Sequence, residues 1–196
     1  MELNLLIGLI SFAFVTSITP GPNNLLLMAS GANFGFRRSV PQMLGINLGF
    51  AFLLGVCGLG LGTLMTAWPA SKTALKIAAT VYMLWLAWNI AHAAAPAAGT
   101  GGARPMTLLQ SAAFQSVNPK AWAMALGAVS AYSGGSLSGT LLVFTVFCLV
   151  NLPCIATWAL AGEALRRLLT NPNRLALFNW TMAALLVLSL WPALQF

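Results

Sequence analysis

The chain has 196 residues, of which 59% are hydrophobic and only 6% are charged, and its formal net charge is +7. Soluble domains have about 25% charged residues, so this composition excludes a soluble protein and indicates an integral membrane protein. No aromatic and basic groove of the kind that binds nucleic acid is visible in the sequence. We therefore expect the basic excess to report orientation toward anionic lipid, with a lipid bilayer and no nucleic acid as partner.

Six apolar windows long enough to cross a bilayer follow one another along the chain. They are residues 4–34, 40–67, 74–94, 107–132, 137–162 and 175–194. The first window lacks the basic start of a signal peptide, so we expect it to be a retained helix. We predict an all-α integral membrane protein in which residues 1–196 form a single transmembrane domain of six helices.

One linker divides these windows into two halves. Residues 95–106, AAPAAGTGGARP, are rich in Ala, Gly and Pro, which is typical of a flexible connection. The linker separates a first three-helix half, residues 1–94, from a second, residues 107–196. Because three is odd, the second half crosses the membrane in the opposite sense, which predicts two inverted three-helix repeats, an arrangement common in secondary transporters.

The distribution of basic residues predicts the orientation of the helices. The loops after the first, third and fifth windows contain six arginines, whereas the loop between the second and third contains two lysines. The arginines are Arg37, Arg38, Arg104, Arg166, Arg167 and Arg174, and the lysines are Lys72 and Lys76. The positive-inside rule then places the three arginine-containing loops in the cytoplasm and both termini outside it.

Two of the windows are interrupted by proline, at TPGPNN (residues 19–24) and at NPK (residues 118–120). A proline inside a helix costs about 3 kcal/mol, and lipid cannot satisfy the carbonyl groups that it frees. Thr19 and Asn118 each precede a proline, and an N-capping residue before proline is typical of a helix start. We therefore expect helices one and four to be broken, with both new N-termini facing the middle of the protein.

These breaks predict a binding site for a small molecule with an anionic group, since helix N-termini carry free N–H groups and positive partial charge. Lys120 adds a cation, and we expect it to need an anion because no Asp or Glu lies inside any window. Either proline alone could be a simple kink, and Lys120 could extend to an interface. The expected substrate-binding residues are Thr19, Pro20, Gly21, Pro22, Asn23, Asn24, Asn118, Pro119 and Lys120, and the expected pathway residues are Asn47, Gln115 and Asn151.

Other patterns predict packing. Helix two carries Gly45, Gly49, Gly58 and Gly62 at spacings that permit close helix contact. Helix three carries Tyr82, Trp85, Asn89 and His92 on one face, and we expect His92 to be an interfacial residue. The three cysteines lie in apolar runs without the spacing of a metal site, so we expect buried thiols, no metal and no cofactor.

The segments TPGPNNLLLMASGANFGFRRSVPQMLGINLGF, ALKIAATVYMLWLAWNIAHA and NPKAW resemble the LysE/RhtB superfamily of amino-acid exporters along essentially the whole chain. The segments WLAWNIA and WALAGEALRRLL are similar to the cysteine and O-acetylserine exporter subgroup. The resemblance implies an antiporter in the bacterial inner membrane that exports a small, neutral amino acid and is driven by the proton motive force. The candidates for a proton relay are Glu163, His92 and Lys120, which leaves the coupling ion open.

Two other functions remain to be weighed. A passive channel subunit could use the same breaks to line an open path. A membrane-embedded enzyme would need carboxylates, a metal cluster or an activated nucleophile near one another, and the chain offers two acids and one histidine, widely separated. We therefore expect a transporter and no enzyme, working as a monomer or a homodimer.

Overall fold

The computed structural model describes residues 3–60, 69–93 and 104–191. These residues form eight α-helices and no strand. The helices are α1 (Leu3–Ile18), α2 (Pro22–Phe34), α3 (Phe36–Gly58), α4 (Pro69–Ala91), α5 (Leu108–Gln115), α6 (Pro119–Tyr132), α7 (Leu137–Arg166) and α8 (Pro172–Leu188). The first and fourth predicted windows are each divided into two helices, α1 and α2 in one and α5 and α6 in the other.

Four of the described segments are long and apolar enough to cross a membrane, as expected for a multi-pass membrane protein. They are Phe36–Gly58, Thr73–Ala91, Leu137–Arg166 and the pair α1 and α2, whose axes differ by 53°. Helices α5, α6 and α8 have 8, 14 and 17 residues, fewer than the roughly 20 that cross the hydrocarbon layer. Residues 95–103 of the predicted linker lie outside the described residues, as do the ends of the second and sixth windows.

The helix that follows each break begins with a proline, but the two starts are capped differently. At α6, Asn118 is the N-cap, and its side-chain oxygen accepts a hydrogen bond from the Lys120 backbone N–H at 3.2 Å, as predicted. At α2, the N-cap is Gly21 and the first residue is Pro22, so the prediction that Thr19 caps this helix is wrong. The Thr19 hydroxyl donates instead to the carbonyl of Val15, back into α1.

Two apolar clusters form most of the core. One joins α1, α3, α6 and α7, and includes Leu9, Phe50 and Phe147. The other joins α2, α4, α5 and α8, and includes Met83, Phe114 and Leu186. Helix α2 also packs on α3 and α7 through a smaller cluster, so the two parts of the broken first helix belong to different clusters.

Glycines allow the closest helix crossings. A methyl group on Gly31 of α2 would lie 2.0 Å from the carbonyl oxygen of Ala159, and one on Gly162 of α7 would lie 2.1 Å from that of Met28. These glycines therefore set the approach of α2 to α7.

The glycines of α3 confirm the packing expected from their spacing. A methyl group on Gly45 or Gly49 would lie 2.2 Å or 2.4 Å from a carbonyl oxygen of α5. A methyl group on Gly58 would lie 2.1 Å from the side chain of Thr140, and Gly62 lies outside the described residues.

We expect Gly31→Ala to destabilise the protein by about 1–3 kcal/mol, because α2 and α7 must separate to admit the methyl group. The measurement is the midpoint of thermal inactivation in detergent, followed by size-exclusion chromatography. Gly55→Ala is the matched control, because a methyl group there meets nothing within 4 Å. Equal midpoints for the two variants would contradict this account of the crossing.

Candidate functional site

The two breaks lie against each other. The Lys120 ammonium, at the start of α6, donates to the carbonyl oxygen of Thr19 at 2.6 Å and lies 3.5 Å from that of Pro20. The lysine side chain runs over Gly21, where a methyl group would lie 2.7 Å from Cδ and 3.0 Å from Nζ. The backbone at Gly21 is extended, with φ of −178°, so glycine is needed here for space and not for backbone conformation.

The position of Lys120 corrects one expectation. We expected the ammonium to need an anion, but its partners are carbonyl groups at the C-terminal end of α1, which is the negative end of that helix dipole. Dipoles do not cancel the net charge, however. Among the described residues, the acidic side chain is that of Glu163. Its Oε1 accepts a hydrogen bond from the Phe36 N–H at 3.2 Å, away from this site. The site therefore keeps a net positive charge.

The carbonyl groups of residues 17–19, at the first break, have donors inside the protein. The Asn24 side-chain amide donates to the carbonyl oxygens of Ser17, at 2.8 Å, and Thr19, at 2.9 Å. The Trp158 indole of α7 donates to the carbonyl oxygen of Ile18 at 3.0 Å. These bonds and those of Lys120 replace the helical hydrogen bonds that end at the break, which lipid could not do.

The second break is closed in a similar way. The Trp122 indole donates to the carbonyl oxygen of Ser116 at 2.8 Å. Asn23 at the start of α2 and Gln115 at the end of α5 form a reciprocal amide pair, with N to O distances of 2.9 Å and 3.0 Å. This pair ties the start of α2 to the end of α5 and so joins the two breaks.

A cavity of about 20 Å³ lies between the breaks, which is room for about one water molecule. Its lining contains both polar and apolar residues. The lining residues are Thr16, Ser17, Gly21, Asn23, Asn24, Phe50, Asn118, Lys120, Ala121, Met124, Asn151 and Ile155. We call this space the central cavity. In this conformation it is too small for an amino acid.

The predicted pathway residues are divided between lining and support. Asn151 lines the central cavity and donates to Asn47 Oδ1 at 3.0 Å. Asn47 donates to the carbonyl oxygen of Cys148 at 3.3 Å, one turn before Pro153 in α7. Asn47 and Gln115 therefore act behind the lining, by holding Asn151 and Asn23.

Six predicted binding or pathway residues line the central cavity, namely Gly21, Asn23, Asn24, Asn118, Lys120 and Asn151. Thr19 and Pro20 contribute carbonyl groups to Lys120, while Pro22 and Pro119 begin the two helices. Sequence reasoning missed Ser17, whose buried hydroxyl has no hydrogen-bond partner among the described residues, and Trp158. The polar Ser17 lies two residues before the TPGP motif, and this position could have identified it as a lining residue. In the sequence, Trp158 cannot be distinguished from the other apolar residues of α7.

We expect Trp158→Phe to lower stability by about 1–3 kcal/mol, because it leaves the carbonyl of Ile18 buried without its donor. Thermal inactivation in detergent measures the change. The matched control is Trp191→Phe, since Trp191 is 67% exposed. If both variants keep the wild-type midpoint, the indole does not support the break.

Comparison with known proteins gives a consistent result. The model of the family described as LysE type translocator matches residues 14–189. The chain is 32% identical over 194 residues to a cysteine/O-acetylserine efflux protein of Klebsiella pneumoniae subsp. pneumoniae, covering 95% of each chain. It is also 32% identical over 180 residues to a protein of the same name from Escherichia coli (strain K12), covering 90% of this chain and 91% of the relative. No solved structure matches. The chain therefore belongs to the LysE type translocator family.

Proposed function

We propose that the protein is a secondary transporter of the bacterial inner membrane that exports a small, neutral amino acid or derivative, with cysteine and O-acetylserine as its first candidates. One observation carries the proposal: two half-helix N-termini and a lysine meet at one cavity between the halves of the chain. The names of the relatives support the choice of substrate.

The chemistry of the cavity suits a zwitterion. The first turn of α2 has no side-chain cap, so its N–H groups remain available to a carboxylate, and the Lys120 ammonium lies beside them. The side-chain oxygens of Asn118 and Asn151 supply acceptors for a substrate ammonium. Because no carboxylate of the described residues lines the cavity, a second positive charge on the substrate would have no counterion there, which favours a neutral amino acid.

The packing of the helices supports an inverted repeat of residues 1–94 and 107–196. If α1, α2, α3 and α4 correspond to α5, α6, α7 and α8, then the contact of α1 with α7 corresponds to that of α5 with α3, and both occur. The same holds for α2 with α7 and α6 with α3. The hydrogen bond between Asn47 and Asn151 joins corresponding helices at the middle of this arrangement. We propose six spans on this basis, and the arginines of the three predicted cytoplasmic loops favour both termini outside the cytoplasm.

Transport requires the central cavity to enlarge, since it now has room for about one water molecule. A substrate carboxylate competes with the carbonyl groups of Thr19 and Pro20 for the Lys120 ammonium, and so weakens the contact that holds α1 against α6. Binding energy is thereby coupled to separation of the two breaks, as alternating access requires.

Proton coupling is part of the proposal, and Lys120 is its candidate residue. Glu163 accepts a hydrogen bond from the N–H of Phe36, and the ring of His92 contacts Trp88 and Trp180, both outside the central cavity. Of the described residues that line the cavity, Lys120 is the one with an ionisable side chain.

Substrate counterflow tests the proposed function. Proteoliposomes are loaded with one unlabelled amino acid at a time, and uptake of the same labelled compound is followed. We expect uptake to overshoot equilibrium for L-cysteine or O-acetyl-L-serine, because only a carrier exchanges bound substrate. Rapid equilibration without overshoot would indicate a passive pore, and no uptake of any neutral amino acid would contradict the proposal.

We expect Lys120→Met to reduce counterflow about tenfold to a hundredfold, which is the value of a lost hydrogen bond to a charged group. Lys76→Met is the matched control, since it removes the same charge from α4, outside the central cavity. Equal amounts of monodisperse protein confirm folding. If the Lys120 variant shows wild-type counterflow, Lys120 does not take part in substrate binding.

A further inference from the structure

A second, larger cavity lies beside the central one. It has a volume of about 460 Å³ and is bounded by one face of α2, the second half of α4 and the segment before α5. Its lining includes Asn33, Gln42, Trp85, Trp88, Arg104 and Met106. We call it the vestibule. On the predicted topology it opens toward the cytoplasm.

The vestibule is cationic at its mouth. Arg104 is exposed and lines it, and no acidic residue does so in the part of the chain that the structure describes. A planar guanidinium binds a carboxylate through two parallel hydrogen bonds, which an ammonium cannot do. The mouth therefore suits an anionic group.

A buried acceptor without a partner also lines the vestibule. Gln42 is 2% exposed, and its Oε1 has no hydrogen-bond partner among the described residues. Its Nε2 has only the weak acceptor Met106 Sδ, at 4.0 Å. Because Met is unbranched and flexible, its side chain can yield to a ligand. A buried carbonyl oxygen of this kind suits an ammonium group.

A chain of contacts leads from Gln42 to the central cavity. Gln42 lies one turn before Gly45 in α3, and a methyl group on Gly45 would lie 2.9 Å from Cβ of Ser111 in α5. The Ser111 hydroxyl is also buried without a partner. Its carbonyl oxygen accepts from Gln115 Nε2 at 3.0 Å, and Gln115 forms the amide pair with Asn23, which lines the central cavity. The amide pair thus ends a chain of contacts that runs from Gln42 to the lining of the central cavity.

We propose that the vestibule is a second binding site for a zwitterionic amino acid, with its carboxylate on Arg104 and its ammonium on Gln42 Oε1. The substrate passes from there to the central cavity when the pair of Asn23 and Gln115 opens. This inference rests on the proposed function, of which it names an additional substrate site.

The test is the concentration dependence of L-cysteine counterflow in a reducing buffer, with proteoliposomes of the full chain. Gln42→Met removes the acceptor while keeping side-chain length, and Gln42→Glu restores acceptor oxygens. Arg104→Gln removes the guanidinium, and Arg167→Gln is its matched control, an exposed arginine outside the vestibule. We expect Gln42→Met and Arg104→Gln each to raise KM about tenfold, with maximal rates near the wild-type rate. Gln42→Glu lowers KM below that of Gln42→Met, because its oxygens accept from the substrate ammonium, and Arg167→Gln keeps KM within about twofold.

The outcomes separate the vestibule from the proposed function. No counterflow by the wild type with any neutral amino acid would refute the proposed function itself. Wild-type counterflow with unchanged KM in Gln42→Met and Arg104→Gln would overturn the second site alone, as would a lower maximal rate at constant KM, which indicates a structural role. A lipid phosphate is the other anion that Arg104 could bind. An Arg104→Gln effect that disappears in purely zwitterionic phosphatidylcholine would assign the arginine to lipid and overturn its role in substrate binding.

Discussion

The carbonyl groups at the end of α1 need hydrogen-bond donors, and in a membrane those donors must come from the protein. Three residues supply them: Asn24 from α2, Lys120 from α6 and Trp158 from α7. Each donor side chain holds its own helix close to the break. The meeting of three helices at one point, with the central cavity between them, follows from this single requirement.

The same requirement explains how a lysine is tolerated where apolar residues predominate. Lys120 lies at the N-terminus of α6, where the dipole of its own helix disfavours a cation, but it also lies at the C-terminus of α1, where the dipole favours one. The effects of the two helix dipoles on Lys120 thus compensate each other. The hydrogen bonds of this arrangement are satisfied, but its net charge is not zero. A substrate carboxylate would therefore gain both a cation and the uncapped first turn of α2.

Much of this could be predicted from the sequence, because proline and the apolar windows act locally. The two breaks and the capping role of Asn118 follow from residues adjacent in the chain. The cap at Gly21 was missed because TPGP contains two prolines, and only the structure shows that the second one begins α2. The carbonyl partners of Lys120 and the indole of Trp158 could not be predicted, because each contact spans at least 100 residues and depends on how helices pack. The small volume of the cavity depends on the same packing and could not be predicted either.

The central claim is that substrate binds between the two breaks, and substrate protection of a cysteine placed there tests it most directly. Met124 lines the central cavity, so Met124→Cys is introduced into a chain in which the three native cysteines are replaced by alanine. Its reaction with a small methanethiosulfonate reagent is timed with and without saturating O-acetyl-L-serine, and Leu137→Cys, at a position 71% exposed at the start of α7, is the control. The account predicts slower labelling at position 124 with substrate and no change at position 137. Equal labelling rates at position 124 with and without a substrate that the variant still transports would contradict it.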